Sequence, residues 1–332
     1  MNYNPFTDQL LDEPTADSIP LTEESRTGPN SSFVEGSQAQ FAWDSVSLNS
    51  LKTCPRKYLY EIINGYELKV RPATLSFGIA FHTCLETWHK LLASGMSKDT
   101  ALLRVTRLAG LLGESIPAGD TARTKETLMR TVVWYIFQFW DDQARTTFLT
   151  TGKPAVEFSF TFPLGQVNGV EIYLSGHIDR VVEYDSQVFI SDYKTTKSAL
   201  DHRYFDQYKP NGQLKQYMLA GVVLATDGTA IPEPPAGVLV EAAQLGVTFS
   251  RFQRFPVMYS AADLEEYAKN TIDWITQAFY FASIENWPMN ESSCDKYGGC
   301  TFREICRQSP GYRDLYLNAN FHRRTWDPLR AR

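Results

Sequence analysis

The chain has 332 residues, of which 43% are hydrophobic and 21% are charged, with a formal net charge of −6 at pH 7. This composition is ordinary for a soluble globular protein, and the length allows one large domain or two small ones. No apolar run reaches the roughly 18–20 residues of a membrane span, and the N-terminus has no basic region followed by an apolar stretch. We therefore expect a cytoplasmic protein.

The negative charge is concentrated at the start of the chain. Residues 1–40 contain seven acidic residues against the single basic residue Arg26, so the remainder is close to neutral. This segment is rich in Ser, Thr, Pro, Asn and Gly, and it is predicted to be a mostly disordered acidic leader. Because a neutral domain can still carry a local basic groove, the overall charge does not exclude binding to nucleic acid.

After the leader, helices alternate with strands. Apolar residues spaced by three or four positions predict helices, in chain order, from Ser47 to about Ile62, over 78–95, over 121–148, from a cap at Asn211 to about Ala225, and over 262–286. Alternating apolar residues and short apolar runs predict strands over 156–162, 172–184, 187–195, 236–243 and 246–256. This order predicts an α/β fold, with a mixed β-sheet core flanked by helices and a helical part at the N-terminus.

The domain boundaries follow from the same reading. We expect a single domain over 41–310, with a helical insertion at about 86–150 and a cysteine cluster over 294–306. Residues 311–332 are predicted to form a C-terminal tail. Cys84 is expected to be a core thiol within its apolar helix, and His89 is expected at the surface.

Two predicted strands form a hairpin that brings charged side chains together. If the loop is Asp185-Ser186, Asp179 lies directly opposite Asp192, and paired residues share one face of a sheet. Lys194 is two positions beyond Asp192 and therefore shares that face. Two adjacent carboxylates are stabilised by a cation between them, and oxygen ligands suit Mg²⁺ or Mn²⁺. Such a site can hydrolyse a phosphodiester bond.

A plain surface ion pair is the usual explanation of an isolated Asp-x-Lys. The apolar residues Val188, Phe189 and Ile190 make an exposed strand face less favourable here. The opposing Asp179 also favours a functional site.

The chain resembles the RecB-like branch of the PD-(D/E)XK nucleases. The matching segments, in the same order, are Gly78 to Glu86 with His82, Val156-Glu157-Phe158, Gly176-x-x-Asp179-Arg180, Asp192-Tyr193-Lys194-Thr195, and Gln213-x-x-x-Tyr217. The resemblance covers about residues 47–306 and implies metal ligation by His82, Asp179 and Asp192. It also implies catalytic positions at Asp179, Asp192, Lys194, Glu157, Gln213 and Tyr217.

Several of these residues have structural alternatives. His82 could be a structural histidine, and Glu157 could face solvent from its strand. Gln213 and Tyr217 share a helix face and could simply cap and pack that helix. Gln216 is an equally placed rival to Gln213.

The cysteines suggest a second site. Cys294, Cys300 and Cys306 lie within thirteen residues, and Cys54-Pro55-Arg56-Lys57-Tyr58 resembles the first ligand segment of the iron–sulfur members of this nuclease branch. The resemblance implies that these four cysteines hold a [4Fe–4S] cluster that ties the two ends of the domain together. Structural zinc is the alternative, although no C-x2-C knuckle is present.

The resemblance implies a metal-dependent DNA exonuclease that processes single-stranded DNA or DNA ends in recombination, repair or replication. The chain contains no G-x-x-x-x-G-K-[ST] segment, so any helicase partner must be a separate chain. Two alternatives remain, namely a non-catalytic DNA-binding or assembly subunit and a structure-specific endonuclease.

Several basic residues lie near the predicted site and could contact phosphates. They could equally be ordinary solvated residues. They are Lys197, His202, Arg203, Lys209 and Lys215.

Overall fold

The computed structural model describes residues 32–228 and 230–330. Most of the predicted acidic leader, residues 1–31, lies outside the described residues. Residues 32–40 form a turn closed by a bridge between Phe33 and Gln40. Gln40 is fully buried, and its Oε1 accepts a hydrogen bond of 2.7 Å from the hydroxyl of Tyr58. The end of the expected leader therefore packs against the domain.

The N-terminal elements are short and include one turn of π-helix. They are β1 (Ala42–Trp43), α1 (Ser45–Thr53), α2 (Pro55–Tyr58), the π-helical turn (Leu59–Ile63) and β2 (Tyr66–Leu68). Asp44 starts α1 because its side chain accepts from the backbone of Ser47, while the Ser47 side chain caps the backbone of Asp44. The helical pattern predicted from Ser47 is thus confirmed, with a break at Cys54-Pro55.

Three longer helices follow, α3 (Ala73–Ala93), α4 (Lys98–Gly113) and α5 (Lys125–Gln138). The prediction of one helix over 121–148 is wrong at both ends, because Thr124 caps α5 and the chain turns after Gln138. Helix α4 was not predicted. Its buried face consists of the small residues Ala101, Val105, Ala109 and Gly113, which give a weak hydrophobic pattern.

The remaining strands build a mixed sheet around β5. They are β3 (Arg145–Thr146), β4 (Val156–Val167), β5 (Val170–Tyr184), β6 (Gln187–Thr196), β7 (Gly237–Leu245) and β8 (Ser250–Val257). In the described part of the chain, seven strands pair in the order β1-β5-β6-β7-β8, with β3 and β4 also pairing with β5. Strand β6 is parallel to β7, and its pairs with β5 are antiparallel. The predicted α/β fold with a mixed sheet is confirmed.

Helices cover both faces of this sheet. Between β6 and β7 lie the short α6 (His202–Asp206) and α7 (Gly212–Thr226), and β8 is followed by α8 (Ala261–Ser283). Helices α7 and α8 pack on one face in a core that includes Ile190 and Val238. Helices α3, α4 and α5 pack on the other face, against Tyr193. Cys84 lies in this second core, as predicted.

The C-terminal segment returns to the N-terminal elements. It contains α9 (Arg303–Cys306), α10 (Arg313–Asn320) and β9 (Phe321–Arg323), which pairs antiparallel with β2. Phe302 and Phe321 stack there beside Tyr60 in a small separate core. Among the helices within residues 32–228 and 230–330, none is long and apolar enough to cross a membrane.

Candidate active site

The β5–β6 hairpin has the register predicted from the sequence. Tyr184 pairs with Gln187 and Val182 with Phe189, and the last pair of the ladder is Arg180 with Ser191. The loop residues Asp185 and Ser186 have φ values of 51° and 58°. These left-handed conformations suit a two-residue hairpin turn and fix the register. Asp179 and Asp192 therefore follow directly at the point where the two strands part.

Asp179 is held by two contacts at this parting point. Its Oδ2 accepts a hydrogen bond of 3.0 Å from the backbone N–H of Tyr193 and lies 3.3 Å from Nδ1 of His82. The Nε2 of His82 donates to the carbonyl oxygen of Tyr193 over 2.9 Å. His82 on α3 thus joins the strands, and both of its ring nitrogens have partners. Direct ligation of a metal by His82 would require one of those nitrogens to be released.

Lys194 connects Asp192 to helix α7. Its Nζ lies 2.7 Å from Oδ2 of Asp192 and donates a hydrogen bond of 2.9 Å to Oδ1 of that carboxylate. It also donates over 3.0 Å to Oε1 of Gln213, whose Nε2 donates over 3.0 Å to the hydroxyl of Tyr217. These contacts form one chain from the sheet to the helix.

Gln213 and Gln216 make different contacts in the structure. Gln216 is fully buried, and its amide donates to the carbonyl oxygen of Ser175 over 2.8 Å, so it packs α7 on the sheet. Gln213 is half-buried and touches Lys194 directly. Only Gln213 therefore belongs to the group that contains Asp192.

Burial and charge act on this group in opposite directions. Burial alone would raise the pKa of Asp179, but His82 and Lys194 outweigh it and lower that pKa. Burial raises the pKa of Asp192, and the nearby Asp179 adds to this, in spite of Lys194. For His82 and Lys194, burial is outweighed by the adjacent carboxylates, so both pKa values are raised. The site thus contains two acids with unlike affinities for a proton.

Glu157 adds a third carboxylate at a strained position. The β4–β5 ladder pairs Val156 with Arg180 and Phe158 with Ile178, which leaves Glu157 across from Asp179. Glu157 has a φ of 44°, a left-handed conformation that L-residues rarely adopt. The pKa of Tyr217 is raised well above its usual value, mainly by burial. The carboxylates of Asp179, Asp192 and Glu157 add to this effect. Glu157 is therefore part of the same electrostatic environment, and strain of this kind concentrates at functional sites.

The donor set suits a hard divalent cation in its chemistry. The Oδ2 atom of Asp192 is buried and has an ion pair with Lys194. Within the described residues, it accepts no further hydrogen bond. Carboxylate oxygens are the ligands that Mg²⁺ or Mn²⁺ prefers, and Oδ2 of Asp192 is one of them. In the part of the chain that the structure describes, no three His, Cys, Asp or Glu side chains are arranged so that they could hold a metal ion. The present contacts pair the carboxylates with His82 and Lys194 instead.

A buried polar layer lies directly beneath the candidate site. Arg180 is 1% exposed, and its Nη1 donates to Nε2 of His89 over 2.7 Å and to the hydroxyl of Tyr193 over 3.2 Å. Arg180 also bonds the carbonyl oxygen of Ala144. The prediction that His89 lies at the surface is wrong, because it is seven positions from His82 on α3 and faces the sheet. Burial and the neighbouring Arg180 lower its pKa well below the usual value.

This layer continues along β7 and β8. Arg254 donates to Oε2 of Glu241 over 2.7 Å and to both oxygens of Asp142, over 2.5 and 2.8 Å. Glu241 also accepts from the hydroxyls of Tyr135 and Ser191. The acids are thus neutralised and the backbone of β6 is held in place from below. No sequence pattern pointed to this layer, because its members come from distant elements.

The four cysteines singled out in the sequence come from the two ends of the domain. Cys54 is buried, and its Sγ accepts a hydrogen bond of 3.3 Å from the backbone N–H of Asn290. The backbone N–H of Cys300 donates to the carbonyl oxygen of Cys294 over 2.8 Å. Burial raises the pKa of Cys306 to about 11, and Cys300 and Cys54 add to this effect. Burial also raises the pKa of Cys300, with contributions from Cys54 and Cys294. Cys300 thus lies within electrostatic reach of the other three, and all four are free thiols. Within the residues that the structure describes, they are not arranged as a group that could hold a metal ion.

Comparison with known proteins agrees with this geometry at the level of the superfamily. The profile of the family described as "PD-(D/E)XK nuclease superfamily" matches residues 45–307, which include all of the candidate site. No curated protein matches the chain. Among solved structures, one titled "Crystal structure of SSO0001" aligns with 79% of this chain and 96% of its own, at 13% identity and a TM-score of 0.29.

Proposed function

The chain belongs to the PD-(D/E)XK nuclease superfamily, and on that premise we propose that it is a metal-dependent deoxyribonuclease acting on DNA ends. The observation that carries this proposal is the meeting of Asp179, Asp192 and Lys194 where β5 and β6 part. Nucleases of this superfamily generally use Mg²⁺ or Mn²⁺, and phosphodiester hydrolysis requires the charges that these three residues provide.

Each side chain has a separate proposed role. Asp179 and Asp192 would hold the metal ion, and Glu157 lies beside them as a further acidic group. When bound, Mg²⁺ or Mn²⁺ supplies Lewis-acid stabilisation of the phosphate and lowers the pKa of a water molecule. Lys194 stabilises negative charge that develops on the phosphate, and Gln213 orients Lys194 through the 3.0 Å hydrogen bond between them.

We assign the chain to the RecB-like branch because the segments that resemble that branch occur in the same order. Exonuclease activity in recombination, repair or replication follows from that resemblance. The proposed substrate is single-stranded DNA or a DNA end, and a helicase or recombination protein would act as a separate partner. Digestion of linear DNA with no cleavage of circular DNA of the same sequence would support an exonuclease, whereas cleavage of both would indicate an endonuclease.

We also propose an iron–sulfur cluster held by Cys54, Cys294, Cys300 and Cys306. The support is the electrostatic proximity of Cys300 to the other three sulfurs and the hydrogen bond from the backbone of Asn290 to Sγ of Cys54, which brings the two cysteine-bearing segments together. A cluster of four thiolates would fasten those segments together. Iron and sulfide analysis of anaerobically purified protein tests this, and stoichiometric zinc in place of iron would identify structural zinc as the occupant.

The first experiment for the nuclease is hydrolysis of end-labelled single-stranded and double-stranded DNA with Mg²⁺ or Mn²⁺. Wild type is expected to release short products, and Lys194→Ala is expected to reduce the rate by about 10²–10⁴-fold. Lys269→Ala is the matched control, because Lys269 is an exposed lysine whose one ion pair among the described residues is with Glu265 on the same helix. Its rate should equal that of wild type. Absence of cleavage by folded, cluster-loaded wild type would favour a non-catalytic DNA-binding subunit instead.

A further inference from the structure

Lys52 and Lys215 belong to two helices that pack against each other, and Lys215 lies on the side of α7 that is turned away from Lys194. Lys52 stands at the end of α1, and Lys215 stands in α7 two residues after Gln213. A step of two residues rotates a side chain by about 200° around an α-helix, so Lys215 and Gln213 occupy opposite sides of it. The Lys215 side chain is only 12% exposed, and Lys52 is half-buried.

These lysines are poorly neutralised. Within the described residues, Lys52 has no ion pair or hydrogen bond, and its Nζ lies 5.5 Å from the ring centroid of Tyr267. Lys215 has one carboxylate partner in the described chain, Glu266 at 4.0 Å, and the Glu266 side chain is 67% exposed. Burial lowers the pKa of Lys52, and the charge of Lys215 adds to the effect. Two lysines that repel each other in a partly desolvated position destabilise the fold unless an anion joins them.

A third lysine, Lys209, lies beside Lys215, and we call Lys52, Lys209 and Lys215 the lysine patch. Lys209 and Lys215 each place Nζ 5.9 Å from the ring centroid of Tyr259, and Lys209 also donates to the carbonyl oxygen of Met258 over 2.8 Å. The carboxylate of Asp263 lies within electrostatic reach of Lys209 and Lys215, but its Oδ2 accepts from both the N–H and the hydroxyl of Ser260, at 2.8 and 2.7 Å, so it neutralises the lysines only in part.

The position of this patch relates it to the candidate active site. Helix α7 carries Gln213 on one side, against Lys194, and Lys215 on the other. Gln213 and Lys215 both lie in the first turn of α7, so a strand that passes the start of this helix can reach both of its sides. Proteins that bind single strands follow the backbone with basic residues, and every nucleotide offers a phosphate at a regular interval.

We propose that Lys52 and Lys215, assisted by Lys209, form a subsite for the backbone phosphates of the DNA strand whose scissile bond lies at Asp179, Asp192 and Lys194. The proposed subsite rests on the proposed nuclease function. It specifies where the part of the strand that is not being cut binds to the protein. The ligand group is the phosphodiester itself, so the subsite binds strands without regard to base sequence. A bound phosphate also places an anion beside Lys52, which has no carboxylate partner among the described residues, and beside Lys215, whose partner Glu266 is 4.0 Å away.

The test measures binding separately from cleavage. The variant Lys52→Gln/Lys215→Gln is compared with wild type by fluorescence anisotropy, with labelled oligothymidylate in EDTA over a range of salt concentrations. We expect the Kd to rise about tenfold at low salt, and the slope of log K against log salt to fall by about 1.4, since each phosphate contact on a single strand contributes about 0.7. In cleavage assays with metal, KM for the oligonucleotide should rise more than kcat falls.

The matched control removes two lysines elsewhere. Lys90→Gln/Lys269→Gln causes the same change in net charge at two exposed lysines, which pair with Glu86 and Glu265. Its Kd and salt slope should stay close to those of wild type. The double variant at positions 52 and 215 is expected to unfold at the same or a higher denaturant concentration than wild type, because like-charge repulsion is removed.

The outcomes separate the two proposals. A wild type that cleaves DNA, with a Lys52→Gln/Lys215→Gln variant that binds with the Kd and slope of the control, overturns the subsite and leaves the nuclease intact. A wild type that neither binds nor cleaves DNA overturns the proposed function, and the subsite with it. Loss of affinity and slope in the lysine variant alone supports the subsite.

Discussion

The backbone N–H of Tyr193 donates a hydrogen bond of 3.0 Å to Oδ2 of Asp179. Tyr193 stands between Asp192 and Lys194, so the peptide that links two candidate catalytic residues also holds the third. Its ring lies on the opposite face of the sheet, where its hydroxyl accepts from Arg180 over 3.2 Å. The spacing of the three side chains is therefore fixed by the backbone of β6 and by the buried layer beneath it.

Replacement of Asp192 with Asn tests the proposed metal site. Asn keeps the shape but removes the charge, so we expect Mn²⁺ binding to weaken by at least about tenfold and DNA cleavage to fall by about 10³-fold. Binding is measured by calorimetry without DNA, and cleavage by product release. Asp206→Asn, at an exposed acid on α6, is the control. Wild-type Mn²⁺ affinity in Asp192→Asn would show that the ion binds elsewhere.

Glu157 offers a test of strain against function. Glycine adopts a φ of 44° without steric cost, so Glu157→Gly should increase the free energy of unfolding by about 1 kcal/mol. The same change removes a carboxylate from the site and should lower the cleavage rate. Glu157→Gln keeps the side-chain bulk and the strain, so it should lower the rate without the gain in stability. Urea unfolding measures the stability and product release measures the cleavage rate. A Glu157→Gly variant that is less stable than wild type would contradict the prediction that the backbone at Glu157 is strained.

His89 should make stability dependent on pH. Its pKa in the folded protein is well below the unfolded value of 6.5, so the unfolded chain binds the extra proton. Stability from this residue is therefore present above pH 6.5 and is lost below it by about 1.4 kcal/mol per pH unit, until the folded pKa is reached. His89→Gln keeps an acceptor for Arg180 and lacks this dependence.

Urea unfolding at pH 7 and pH 5.5 measures the effect of His89. The difference in stability between wild type and His89→Gln should shrink or reverse as the pH falls. The control is His202→Gln, an exposed histidine on α6, which should track wild type at both values. Parallel curves for wild type and His89→Gln would show that His89 does not carry the pH dependence.

Arg254 neutralises the buried Glu241 and the half-buried Asp142 in the layer beneath the site. Arg254→Met leaves Glu241 and Asp142 without their shared cation, and the loss of one partner of a buried ion pair costs about 3–5 kcal/mol. The control is Arg251→Met on the same strand, where the exposed Arg251 stacks on Phe249 and the cost should stay below about 0.5 kcal/mol. Equal denaturation midpoints for the two variants would mean that the network does not support the fold.

Local patterns in the sequence predicted much of the fold. The alternation along 172–184 and 187–195 and the two-residue loop between them determined the hairpin register, because a one-residue shift would turn every buried side chain outward. The same register predicted that Asp179, Asp192 and Lys194 meet. Asn211 was also correctly predicted to start α7, and its Oδ1 accepts from the backbone of Leu214 over 3.1 Å.

Other features depended on contacts between distant residues. The register alone could not show that Gln213 touches Lys194 while Gln216 packs inside, since both lie on one helix and only its rotation against the sheet separates them. The buried position of His89 follows from how α3 docks on the sheet. The electrostatic repulsion between Lys52 and Lys215 follows from how α1 packs on α7.

The sequence by itself thus determined the five strands β4 to β8 and the register of the β5–β6 hairpin, which sets Asp179 across from Asp192. These depend on the two-residue period of a β-strand and on a short turn. Tertiary structure alone decided which side chains from α3 and α7 meet the strand residues of the candidate site, and which lysines are only weakly neutralised. The physical reason is that packing across elements depends on the orientation of each helix, and the energies of burial and charge that fix it arise between residues far apart in the chain.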